Sequence, residues 1–137
     1  MRRSDKTGED RIEKIVLRIQ KVYLALALLG VLGALSNIFG QSSLQGIFED
    51  FIFVLVYGSI YFSLRRRRSW VIPLVLITSA YSCILFFILI FQPAEDIMML
   101  LGKILGSLLF LFFAYQINFF IKPEVRLFFG AKGHYLF

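Results

Sequence analysis

The sequence predicts an all-α membrane protein, an antiparallel bundle of four transmembrane helices. Four long apolar stretches fill most of the chain, and each is continuous rather than alternating. A run of four arginines, Arg65, Arg66, Arg67 and Arg68, separates the second stretch from the third. The chain has 137 residues, 58% of them hydrophobic, and sixteen are phenylalanine. Soluble domains are nearer ~45–50% apolar, and one small core would not hide this much Phe, Leu and Ile. In lipid the backbone must satisfy itself, and continuous apolar runs do so as helices.

The spans follow in order. Span one covers about 22–39, span two about 47–64, span three about 70–91 and span four about 97–121. A hydrocarbon core of ~30 Å needs ~20 helical residues, and each stretch reaches that with its flanks. The links are short: residues 40–46, 65–69 and 92–96. Links of that length make successive helices antiparallel neighbours. The domain plan is therefore a basic segment 1–21, a transmembrane domain 22–121 and a tail 122–137.

Charge sets the direction of insertion. Arg2, Arg3, Lys6, Arg11, Lys14, Arg18 and Lys21 precede span one. Arg65 to Arg68 fill the second link, and Lys122, Arg126 and Lys132 follow span four. The first and third links hold no lysine or arginine. Cationic flanks mark the cytoplasmic side, so both termini are expected inside. A Glu-Asp pair stands at the start of each span that follows an outward link, Glu49-Asp50 for span two and Glu95-Asp96 for span four. We read both pairs as carboxylates at the positive end of a helix dipole.

The flanking segments have patterns of their own. Thr7 is placed to cap a helix. Ile12, Ile15, Val16 and Ile19 then recur at three- and four-residue spacing, with Arg11, Lys14, Arg18 and Lys21 on other faces. Two placements fit this amphipathic segment: flat on the inner surface among anionic headgroups, or running straight into span one. In the tail, Pro123 ends span four or begins a new turn. Phe128, Phe129, Tyr135 and Phe137 beside Arg126 and Lys132 suit a headgroup-level anchor. No cleavable leader is expected, because the first apolar stretch begins well inside the chain and lacks a small-residue cleavage site.

Lys122-Pro123-Glu124-Val125-Arg126-Leu127-Phe128 is a basic helix end followed by Val-Arg-x-Phe. An arginine-rich turn also precedes Trp70-Val71-Ile72-Pro73. In these two segments and in topology the chain resembles small four-span bacterial inner-membrane proteins. The resemblance implies a prokaryotic plasma-membrane location and carries over no active-site residue.

Several function classes are disfavoured. The net charge of +6 sits at the ends of spans rather than on one face, so nucleic acid is not the expected partner. One cysteine, Cys83, and one histidine, His134, leave no basis for a disulfide, a zinc site or a dithiol pair within one chain. No nucleophile–base set or phosphate-cradling glycine loop is present, so neither an enzyme nor a cofactor is expected.

The remaining candidates are membrane features. Gly102 and Gly106 are four apart, as are Gly30 and Ala34, and small residues at that spacing let helices approach closely in lipid. Internal packing is the preferred role for these pairs over a dimer seam. Lys103 is the one strongly charged residue inside an apolar run. The eighteen residues after it reach about 27 Å, so it is placed at the outer boundary. The expected function is a non-catalytic accessory, scaffolding or assembly subunit with a membrane-protein partner or a second copy of itself. The rival class is a small homo-oligomeric transporter or channel, with Lys103, Ser79, Ser82, Gln116 and Asn118 along its path.

Overall fold

The computed structural model describes residues 2–40 and 43–130. Among these there are five helices and no strand: α1 (Arg2–Phe39), α2 (Leu44–Arg65), α3 (Val71–Phe91), α4 (Ile97–Ile121) and α5 (Pro123–Phe128). The first four are long and apolar enough to cross a membrane. The tail residues Lys132, Tyr135 and Phe137, named above as part of an anchor, lie outside the described residues.

The ends of the helices have local causes. Ser43 caps α2, its hydroxyl accepting from the Gly46 N–H at 3.3 Å. Asp96 caps α4, its carboxylate accepting from the Met99 N–H at 2.6 Å. The α2 terminus is closed by a Schellman motif. Arg67 N–H donates to the Leu64 carbonyl and Arg68 N–H to the Ser63 carbonyl, both at 3.1 Å. Arg67 itself takes φ +50°, a left-handed conformation that glycine usually supplies. Pro123 has no N–H to give and opens α5 at its first turn.

One expectation changes here, and one open choice is decided. α1 begins at Arg2, so Thr7 lies inside the helix and is not its N-cap. The same helix runs without a break from the basic segment into span one, 38 residues in all. Of the two placements open to that segment, the structure shows the continuous helix. The reason is tertiary: Val16 and Ile19 are buried on the same stripe as Tyr23 and Ala27, so the segment shares one packing seam with the span.

The chain forms two compact units, Met1–Val71 and Ile72–Phe137. In the first, Tyr23 meets Tyr57 with ring centroids 5.7 Å apart, and Glu13 pairs with Arg67. The seam recurs every seven residues, the knobs-into-holes spacing of supercoiled helices. On α1 it passes through Val16, Tyr23, Gly30 and Asn37; on α2 through Asp50, Tyr57 and Leu64. At Gly30 a Cβ would stand 2.8 Å from Phe53 Cδ1 and 2.9 Å from Val54 Cγ2, so any larger residue there must displace both side chains.

The second unit repeats the scheme. Ile72, Ser79 and Phe86 line α3, with Gly106, Phe113 and Phe120 on α4. Phe86 stacks on Phe113 at 6.1 Å. Val125 and Phe129 are buried, and the Phe129 ring lies 5.9 Å from Phe120. Each of the four long helices leaves large apolar side chains exposed, Leu29, Phe51, Ile84 and Leu108 among them. A face of that kind has lipid, not water, as its natural surrounding.

Candidate functional site

The polar side chains gather on the two seams. In the first unit, Asp50 is half-buried on α2 and faces α1. Asn37 Nδ2 donates to its Oδ2 at 2.5 Å. Its other oxygen lies 3.2 Å from where a Gly33 Cβ would stand, so the glycine makes room for the carboxylate. This corrects the reading of Glu49-Asp50 as charges at a helix start. α2 begins at Leu44, which puts Asp50 on its seventh residue, about 9 Å into the helix. Asp96, by contrast, is a cap as expected. Glu49 is exposed and accepts from Gln45 at 2.9 Å.

At the other end of the same seam, Arg67 Nη2 donates to Glu13 Oε1 at 2.7 Å. Both side chains remain about half exposed. The contact joins the arginine turn to the basic part of α1, 54 positions away in sequence. Arg65, Arg66 and Arg68 are exposed around it.

In the second unit, Ser79, Ser82 and Gln116 are buried. Ser79 Oγ donates to Gln116 Oε1 at 3.4 Å. Thr78 and Ser107 instead bond back to their own helices, donating to the Leu74 and Lys103 carbonyls at 2.7 and 2.8 Å. Lys103 is half-buried, about 20 Å along α4 from Gln116. Asn118 is exposed, on the far side of α4 from Gln116. The five residues proposed as a path thus include three that share a buried stripe, one near the opposite helix end and one on another face.

The small-residue pairs divide as well. Gly30 and Gly106 each make a close approach, Gly106 to Leu89 and Phe86 at 3.2 and 3.3 Å for an added Cβ. Gly102 has nothing within 4 Å, and Ala34 is half-buried beside Gly33. Asp50 was missed by sequence reasoning, although a signal existed. Counting back by sevens from Leu64 through Tyr57 lands on it. Among the described residues, no group of three or more His, Cys, Asp or Glu is placed to hold a metal ion.

Chemically, these are locks between helices. An amide–carboxylate pair and a hydroxyl–amide pair hold register where apolar contacts alone would let helices slide. Compared with known proteins, the chain matches no family model, no curated protein and no solved structure.

Proposed function

We propose that this chain is a non-catalytic integral membrane protein of a bacterial inner membrane, an accessory or scaffolding subunit that crosses the bilayer four times. The helices alternate in direction and both ends are cytoplasmic. One observation carries the reading. The exposed faces of the long helices are apolar, while the cations concentrate at the arginine turn, at the ends of the helical region and along the first half of α1. Positive charge of this kind orients spans with its own side inward.

The scaffolding part of the reading is supported by the length of α1. Residues 2–12 continue past the Glu13–Arg67 contact as helix, about 16 Å at the helical rise. Such a projection offers a rigid handle to another membrane-associated protein. Transport by a homo-oligomer is the weaker reading, because Lys103, the Ser79–Gln116 pair and Asn118 do not follow one line along α4.

The test is crosslinking with mass spectrometry in native membranes, comparing the full chain with one lacking residues 2–12. We expect specific partners for the full chain and their loss on truncation, with membrane insertion unchanged. Identical crosslinks from both chains would defeat the scaffolding role. Impermeant labelling of a terminal tag from outside intact cells would defeat the orientation.

A further inference from the structure

We propose that the outward face of α1 is a binding site for one class of ligand, an anionic phospholipid. Its phosphate is held between Lys14 and Arg18, with Lys21 and Arg11 adding positive charge on either side of the phosphate layer, and its acyl chains lie along Leu28, Leu29 and Leu32. The proposal rests on the membrane orientation given above and deepens it.

The four cations recur at intervals of three, four and three residues, which puts them on one stripe of an α-helix. All four are exposed. The stripe lies across the helix from the seam of Val16, Ile19 and Tyr23, so α2 does not cover it. Among the described residues the recorded ion pair on this helix is that of Glu13, which goes to Arg67 and not to the stripe. Like charges three and four residues apart repel and weaken a helix. Asp10, four residues before Lys14 on the same face, offsets one of these charges, and the excess positive charge that remains attracts an anion.

Depth selects the anion. Glu13 pairs with Arg67 and Tyr23 meets Tyr57, so the stripe runs alongside the arginine turn and the last turns of α2. With the turn at the inner headgroup layer, the stripe brackets that layer over about 15 Å. Side chains on a helix lean toward its N-terminus. Lys21 and Arg18 therefore lean from the hydrocarbon edge toward the phosphates, their stems along apolar surface. Lys14 stands at the layer, and Arg11 lies on its aqueous side.

Above Lys21 the same face changes character. Ala25, Leu28, Leu29 and Leu32 continue it, all exposed. A basic stripe that runs into an apolar one matches an amphiphile with an anionic head. An acidic polypeptide would match the first half only.

The test uses the full chain in detergent and native mass spectrometry, with phosphatidylglycerol and phosphatidylcholine offered together. Wild type is expected to retain phosphatidylglycerol about tenfold over phosphatidylcholine. Arg11→Gln, Lys14→Gln, Arg18→Gln and Lys21→Gln combined should abolish the preference. Single changes should rank Lys14 and Arg18 above Lys21 and Arg11. Arg65→Gln, Arg66→Gln and Arg68→Gln combined is the control and should leave most of the preference, with helix content by circular dichroism equal in all variants. Loss of preference in the control but not in the four-site variant overturns the proposal. So does equal retention of both lipids, or displacement of phosphatidylglycerol by millimolar inorganic phosphate or by polyglutamate, the last of which would assign the stripe to an acidic protein. A chain monodisperse without detergent sinks the membrane reading itself. A detergent-dependent chain without lipid preference sinks this site alone.

Discussion

The two units share one periodicity and lock it differently. The first is held near both ends of its seam by charged contacts, Asn37–Asp50 near one and Glu13–Arg67 at the other. The second is held within its span by a neutral pair, Ser79–Gln116, between buried side chains. In the four-span arrangement proposed above, the charged contacts would fall near headgroups and water, and the neutral pair where a charge would be expensive. Seven-residue spacing sets which faces meet. The polar residues on those faces set how far one helix can slip along the other.

The largest effect is expected where the first seam is tightest. Gly30→Leu drives a side chain into Phe53 and Val54, which a bare Cβ would already meet at under 3 Å. Overpacking of this kind destabilises by about 3 kcal/mol. Gly102→Leu meets nothing within 4 Å and should be nearly silent. Thermal unfolding in detergent reads both. Equal effects would mean that Gly30 is not a seam position, and the first unit would lose its distinction from an ordinary apolar pair.

A smaller effect separates the two Glu-Asp pairs, which look alike in sequence. Asp96→Ala removes a cap, a loss of about 1 kcal/mol, and Asp96→Ser should restore it because serine caps as well. Asp50→Ala strands the half-buried Asn37 amide, a loss of about 1–2 kcal/mol. Asp50→Ser is too short to reach Asn37 and should be no better than alanine. Rescue by serine at both sites would return Asp50 to the role of a helix-start charge.

Most of the helix boundaries were legible because their causes are local. The expected spans end within a few residues of α2, α3 and α4, where Ser43, the arginine run, Asp96 and Pro123 break or cap the chain. Two features were not legible, for a common reason. Whether residues 1–21 lie flat or continue span one depends on what Val16 and Ile19 pack against, and an amphipathic pattern fits both. Whether Asp50 opens a helix or sits within it depends on Ser43 starting α2 at Leu44 rather than about Ile47, a shift small in sequence that takes the carboxylate out of the first turn. The Ser79–Gln116 contact lies 37 positions apart, and neither residue's neighbours announce the other.

The smallest effect is the most discriminating, because its sign is at issue. Arg67 holds a left-handed φ that disfavours any side chain by about 1–2 kcal/mol, and its ion pair with Glu13 is exposed enough to return at most about 1 kcal/mol. Arg67→Ala keeps the strain and loses the pair, so it should destabilise by a few tenths of a kcal/mol. Arg67→Gly loses the pair and relieves the strain, so it should leave stability level or slightly raised. Both variants should loosen the N-terminal half of α1, seen as faster amide exchange over residues 9–16 while exchange around Asn37 and Asp50 is unchanged. If Arg67→Gly destabilises as much as Arg67→Ala, the turn is not strained. If exchange in α1 does not respond to either, the Glu13 contact does not hold that end of the helix, and the first unit is locked only at Asp50.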